Sequence, residues 1–345
     1  MATLKKTSAK TGLLERLQKG VVLGAEGYLF ELERRGLVKA GAYVPEVVLD
    51  NPEAVKELHR EFLHAGAEVM VAFTYYAHRD KLRLIGREGD LEPLNMTALR
   101  LAKEVAAEGE DVLVAGNICN TWVYDVNDKV RTAKIVREMY EEQIGWAAKA
   151  GVDLIIAETL TYLEEALIAL DVIKKYNLPS VITFATLNTE KSQDGYDWIE
   201  ACKMLEAKGA DVVGFNCTQG PTTLMPLMKK LRSSVKCHVA CQPVPFNTTA
   251  QCHSFQKLVN RDGRNAFPIA LEEHLLTRFH LADFARQAKE IGVNYIGICC
   301  GGAPYHVREM AEALGRTVPA SKYSADLNGH FCFNVNRIIL FNIYY

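Results

Sequence analysis

The stretch Tyr295-Ile296-Gly297-Ile298-Cys299-Cys300-Gly301-Gly302 decides how this chain reads. An apolar run of strand character ends in two adjacent cysteines and two glycines. An earlier run, Val212-Val213-Gly214-Phe215-Asn216, ends in Cys217. Both runs are apolar without alternation, as strands covered on both faces are. Two such strands would deliver three thiols at their C-terminal ends. Three thiolates bind Zn2+ and leave the fourth tetrahedral position open, where an incoming thiol becomes a thiolate.

Similar runs recur along the chain, at residues 21–23, 69–74, 112–115, 154–157, 180–185 and 238–241. Between them, segments such as 52–65, 96–107, 130–150, 163–176, 198–209 and 281–291 carry apolar residues at helical spacing. Several of these end in a glycine suited to a helix C-cap: Gly66, Gly151 and Gly209. Eight strands alternating with helices predict a single-domain α/β protein, a (β/α)8 TIM barrel. A doubly wound open sheet is the alternative, but no G-x-G-x-x-G opens the first helix. The barrel is expected over residues 12–320, with an N-terminal extension at 1–11 and an irregular apolar tail at 321–345. The longest irregular stretch, 242–271, follows the seventh run; loops of that length are often functional.

Composition excludes several classes. The 345 residues are 49% hydrophobic and carry a formal net charge of -2, which gives no handle on nucleic acid or an anionic membrane. No stretch approaches the roughly 18–20 uninterrupted apolar residues of a membrane span. The first ten residues are basic and polar without an apolar segment, so no secretory signal is expected. Nine cysteines in that setting read as cytoplasmic thiols. Cys119, Cys202, Cys237, Cys241 and Cys252 are expected to be small packed residues.

A (β/α)8 barrel places its site at the C-terminal ends of its strands. Those ends read Gly24-Ala25-Glu26-Gly27, Phe73-Thr74-Tyr75-Tyr76, Gly116-Asn117, Glu158-Thr159, Asn216-Cys217-Thr218, Gln242-Pro243 and Cys299-Cys300. Alone, a cysteine at a strand end is more often a packed residue than a ligand. Neighbouring strand side chains point to opposite faces, so Cys299 and Cys300 can share an ion only if the backbone turns, and Gly301-Gly302 permits a turn. Glu158 is either a salt-bridged carboxylate or a group that binds a substrate cation. Tyr75-Tyr76 is either packing or an aromatic box for an onium group, whose attraction to ring faces reaches about 2 kcal/mol when desolvated. His59 and His64 share a helix and have no zinc-motif spacing.

With these motifs the chain resembles the homocysteine S-methyltransferase family, closest to its betaine–homocysteine branch. The resemblance rests on Gly214-Phe215-Asn216-Cys217, Gly297-Ile298-Cys299-Cys300-Gly301 and Glu158-Thr159, and covers roughly residues 12–320. It implies a barrel holding one zinc by Cys217, Cys299 and Cys300, and a methyl group moved from an onium donor to homocysteine, giving methionine. It implies that Glu158 holds the homocysteine amino group and that the donor's trimethylammonium lies near Tyr43, Tyr75 and Tyr76. Three positions depart from the betaine branch. Ala25 stands where the branch has an aspartate that contacts homocysteine; Glu26 and Gly27 follow and are expected at the substrate, Glu26 taking over that contact if the strand end bends. Tyr43 stands in place of a tryptophan, and Thr159 in place of a tyrosine. The Glu-Thr pairing is commoner in branches that use S-methylmethionine. Betaine is the donor expected first, with S-methylmethionine or another sulfonium as the alternative. The branch's long C-terminal arm, which joins subunits, is absent or replaced, which weakens the expectation of a homo-oligomer.

Two other classes compete. A catalytically idle relative would keep barrel and zinc as a binding or regulatory module, an idea motivated by Ala25 and the tail. A thiol–disulfide oxidoreductase would use Cys299-Cys300, but adjacent cysteines close a strained ring and no C-x-x-C is present.

Overall fold

The structure, a computed structural model, describes residues 10–24, 27–187 and 190–326. Eight strands appear: β1 (Val22–Leu23), β2 (Val69–Val71), β3 (Leu113–Cys119), β4 (Leu154–Leu160), β5 (Ser180–Phe184), β6 (Val212–Asn216), β7 (His238–Gln242) and β8 (Tyr295–Ile296). They form one sheet in the order β1-β8-β7-β6-β5-β4-β3-β2, every pair parallel. A bridge between Gly24 and Val69 joins the two ends, so the sheet is a nearly closed (β/α)8 barrel. The expected fold class stands.

Burial on both faces follows from the apolar sequence of the strands. β2, β3, β5 and β6 are buried at every position. Helices Pro52–His64, Leu91–Ala106, Lys129–Ala150, Leu163–Lys175, Trp198–Ala207, Pro221–Ser234, Arg278–Glu290 and Pro304–Ala313 cover the outside. Their ends obey local chemistry. Asp197 caps its helix by accepting from the Ile199 N–H at 2.8 Å. Gly151 ends the longest helix in the left-handed conformation that glycine enters without strain. No helix among the described residues is long and apolar enough to cross a membrane.

The ring is weakest between β1 and β2. That seam has one bridge, and Glu68 braces it. The Glu68 N–H donates to the Leu23 carbonyl at 2.8 Å. Its carboxylate accepts from the Leu23 N–H at 2.8 Å and from Arg316 at 2.6 Å. Elsewhere the strands approach so closely that a side chain would not fit. A Cβ on Gly214 would lie 1.9 Å from the Ala240 carbonyl oxygen, inside the β6–β7 ladder.

Strand lengths differ from the sequence reading at the mouth. β3 continues four residues past its expected end to Cys119, because Gly116 does not break it. Its missing side chain instead lets Ala147 pack against the strand, where a Cβ would come within 2.7 Å. The loop after β7 is less irregular than expected. It holds two short 3-10 helices, Phe255–Lys257 and Glu272–His274, and a Val259–Asn265 bridge. Cys119, Cys202 and Cys241 are buried, while Cys237 and Cys252 are only partly so. His59 is fully buried, with Nδ1 3.1 Å from the Tyr28 hydroxyl, and His64 is exposed. The ninth cysteine, Cys332, and residues 1–9 and 327–345 of the two expected terminal extensions lie outside the described residues.

Two outcomes follow. Gly214→Ala forces β6 from β7 and should cost about 3 kcal/mol in urea unfolding; an unchanged midpoint would contradict the close approach. Burial holds His59 and His78 neutral down to about pH 3 and His306 to about 4. An unfolded histidine takes a proton near pH 6.5, so stability is full above that value and falls as pH drops below it. The slope should reach about 1.4 kcal/mol per pH unit per histidine between pH 6 and 5. Unfolding free energies that stay flat across that interval would show the rings to be accessible.

Candidate active site

Backbone conformations rare for side-chain-bearing residues cluster at the strand ends. Cys217 and Thr218 both adopt positive φ, 57° and 51°, directly after β6. Thr159 in β4 and Tyr76 after β2 do the same, at 59° and 60°. A branched residue such as threonine enters this region only when its surroundings force it there, and such residues concentrate at functional sites. The Cys217 N–H donates to the Gln242 carbonyl at 2.9 Å, which continues the β6–β7 ladder one residue past Asn216 before the positive-φ pair turns the chain.

The end of β8 turns differently. The Gly302 N–H donates to the Cys299 carbonyl at 2.8 Å, closing a β-turn over Cys300 and Gly301. Gly301 has φ 87°, the positive value a type II turn needs at its third position. A Cβ there would lie 2.5 Å from the Phe246 ring. The turn swings Cys299 and Cys300 to the same side.

The result is a sulfur cluster. The Sγ atoms of Cys217, Cys299 and Cys300 all lie within 4.8 Å of one another. Cys217 to Cys300 is 3.6 Å and Cys299 to Cys300 is 3.9 Å. Zinc–thiolate bonds of about 2.3 Å in a tetrahedron place neighbouring sulfurs about 3.8 Å apart, so the spacing fits a shared metal ion. The thiols are free. Left to themselves they favour a single charge: hydrogen bonds from Cys299 and Cys300 hold the Cys217 thiol well below its ordinary pKa, and that anion pushes the other two well above theirs. A divalent cation is the partner that lets all three ionise together.

Glu158 is buried beside the cluster. Its carboxylate accepts from Asn117 Nδ2 at 2.6 Å and from Asn216 Nδ2 at 3.2 Å. Pairing of β4 with β5 shifts register between Ala157 and Leu160, so Glu158 and Thr159 sit in an irregularity that re-aims the strand. Asn216 ties the region together. Its Oδ1 accepts from the Thr159 N–H at 2.8 Å, and its Nδ2 donates to Thr159 Oγ1 at 2.8 Å and lies 3.6 Å from Cys299 Sγ.

These groups wall a cavity of about 40 Å3, lined among others by Gly27, Tyr28, Tyr75, Asn117, Glu158, Cys299 and Cys300. Gly27 has φ 108°, and a Cβ there would lie 2.5 Å from the Gly302 carbonyl oxygen. Tyr75 lines the cavity, and Tyr76 packs against it with ring centroids 4.3 Å apart. The Tyr76 N–H donates to Cys119 Sγ at 3.3 Å, and its hydroxyl accepts from Trp122 Nε1 at 2.9 Å. The Lys81 ammonium lies over the Tyr76 ring, 4.1 Å from its centroid. Tyr43 is buried, stacked on Phe30 at 5.7 Å, and is not among the lining residues. Burial raises the pKa of Tyr43, Tyr75 and Tyr76 alike, so all three keep their protons. Ala25 and Glu26 lie outside the described residues.

The structure thus brings together Cys217, Cys299, Cys300, Glu158, Gly27 and Tyr75, with Tyr76 one layer behind. The sequence reading assigned no role to Asn117, Asn216, Trp122 or Lys81. Asn117 and Asn216 stood at strand ends, and Asn216 also within the Gly214-Phe215-Asn216-Cys217 motif; Trp122 and Lys81 gave no signal.

Comparison with known proteins follows the same lines. A family model described as homocysteine S-methyltransferase matches residues 24–314. Betaine–homocysteine S-methyltransferase 1 of Danio rerio is 39% identical over 315 residues, 89% of this chain and 76% of that one. An S-methylmethionine–homocysteine S-methyltransferase of Pongo abelii is 38% identical, covering 93% of this chain and 87% of its own. Among solved structures, the metallated form of an Escherichia coli homocysteine methyltransferase aligns with a TM-score of 0.66 at 20% identity, over 85% of this chain and 96% of that chain. At that identity the likeness bears on the fold.

If Asn216 orients Cys299 and Glu158, Asn216→Ala should weaken divalent-metal binding about 10–100-fold. Competition against a coloured chelator measures this, and an unchanged affinity would remove Asn216 from the metal's surroundings.

Proposed function

The chain belongs to the homocysteine S-methyltransferase family, and from that premise we propose that it moves a methyl group from an onium donor to homocysteine, with zinc held by Cys217, Cys299 and Cys300. The observation that carries the zinc assignment is the sulfur spacing of 3.6 and 3.9 Å. Zinc bound by three thiolates keeps an acceptor thiol ionised at neutral pH.

The chain's own residues supply the rest. Glu158, held by two amide groups, offers a fixed negative charge at the cavity wall. It suits the homocysteine ammonium. The Tyr75 ring on the cavity wall suits the onium group, with Tyr76 behind it. In the reaction a sulfur–carbon bond forms while the donor's bond to the same methyl carbon breaks. The positive charge of the donor is lost as it leaves, so no general acid is needed. The protonated tyrosines fit that account, since none is required to give up a proton.

Betaine is the donor we assign first. S-methylmethionine is the second reading, favoured by Thr159 after Glu158 and by the likeness to the Pongo abelii enzyme over 87% of that enzyme's length. The free cysteines support a reducing, cytoplasmic setting.

Metal analysis and a donor panel test the proposal in one sample. Wild-type protein should hold stoichiometric zinc and form methionine from homocysteine with betaine or a sulfonium. Cys217→Ala should lose zinc and methyl transfer together. Full zinc retention in that variant would refute the ligand set, and zinc-replete wild type inert toward every donor would leave a binding module instead of an enzyme.

A further inference from the structure

Two asparagines hold Glu158, and they differ in one respect. Asn216 uses its whole amide: Oδ1 accepts from the Thr159 N–H, and Nδ2 donates to Glu158 and to Thr159 Oγ1. Asn117 uses half of its amide. Its Nδ2 donates to Glu158 Oε1 at 2.6 Å, while its Oδ1 is buried with no hydrogen-bond donor among the described residues. The carboxylate decides which end of that amide faces it, because a carboxylate takes hydrogen bonds from the NH2 and gives none to the oxygen. A buried acceptor without a donor is costly.

The place of that oxygen gives it a use. Asn117 lines the cavity together with Glu158, Cys299 and Cys300. Apart from thiols and tyrosines, the other lining residues are apolar or glycine, so Asn117 and Glu158 are the polar pair of the wall. An amide oxygen lies about 2.3 Å from its own nitrogen, so the bond to Glu158 keeps Oδ1 close to the carboxylate. An ammonium carries three N–H donors. Each Glu158 oxygen already takes one amide N–H, and a second acceptor beside it shares the binding of a substrate amine. Resting on the function proposed above, we propose that Asn117 Oδ1 accepts a hydrogen bond from the homocysteine ammonium beside Glu158. Amide and carboxylate together then select an amino thiol over a thiol that lacks the amine. Asn117 is a substrate-binding, specificity-determining residue and takes no part in moving the methyl group.

Two thiols that differ only in the amine test this: homocysteine, and 4-mercaptobutanoate with the same carbon chain, thiol and carboxylate. Calorimetry on the zinc-loaded full chain gives both dissociation constants without a methyl donor. Wild type should prefer homocysteine. Asn117→Ala should lower that preference about tenfold or more by weakening homocysteine, with 4-mercaptobutanoate little changed. Asn117→Asp keeps an acceptor but gives up the amide bond to Glu158, so it should retain most of the preference. An asparagine that only oriented the carboxylate would lose the preference in both variants. An unchanged ratio in Asn117→Ala overturns the inference, as does a lost preference in Asn117→Asp or a wild type without any preference. Should Asn117→Ala bind neither thiol, the aspartate variant decides alone. Wild type that prefers homocysteine but forms no methionine with any onium donor overturns the proposed function, while the binding ratio still decides the role of Asn117.

Discussion

Three sulfur atoms crowded within 4.8 Å cannot all carry charge without a cation among them. The surrounding backbone is shaped to keep them crowded. At the end of β6 this requires two consecutive residues in the left-handed region, neither of them glycine. At the end of β8 it requires a turn that glycine makes available. The two ends reach the same geometry by different means. The strain at Cys217 and Thr218 is sustained by the Cys217 N–H bond to the Gln242 carbonyl of β7, by the Phe255 N–H bond to the Thr218 carbonyl, and by the packed barrel beneath. A loop cut free from that ring would relax and the sulfurs would separate.

Asn216 links the sulfurs to the carboxylate. Through one amide it meets Glu158, Thr159 and Cys299, which come from two other strands. The amide fixes Thr159 in a conformation threonine avoids, and Thr159 lies in the irregular stretch that aims Glu158. The charge that meets the substrate and the thiol that meets the metal therefore share one anchor. This coupling explains why site residues converge from sequence positions as distant as 117 and 300: each is placed by strand register, and the register is set by apolar side chains far below the mouth.

Much of this was legible in the sequence, for identifiable reasons. Apolar runs between amphipathic segments specify a parallel barrel, because strands buried on both faces leave little room for polar residues. The barrel rule then picks out strand ends, which is how Cys217, Glu158 and Cys299 stand out from the many other polar residues. Strand ends themselves were harder to place. Gly116-Asn117 looks like punctuation, yet β3 runs on to Cys119, since the glycine serves helix packing instead of a turn. That extension carries Trp122 to the aromatic layer, where it holds the Tyr76 hydroxyl. Lys81 was invisible for another reason: an alternating basic and acidic stretch such as Arg79-Asp80-Lys81 reads as a solvated surface, and only side-chain direction sets one of its cations apart. Tyr43, expected at the donor, packs on Phe30 outside the lining of that cavity, yet its hydroxyl feels the charge of Cys300.

The cavity beside the sulfurs has a volume of about 40 Å3, room for two or three waters. Gly27 lines it just beyond β1, and β1 meets β2 through a single bridge braced by Glu68. The other seams carry longer ladders or lie farther from the opening. One wall of the site and the closure of the ring thus draw on the same handful of bonds, so a change that tightens this joint would be expected to steady the molecule and stiffen the mouth beside Gly27.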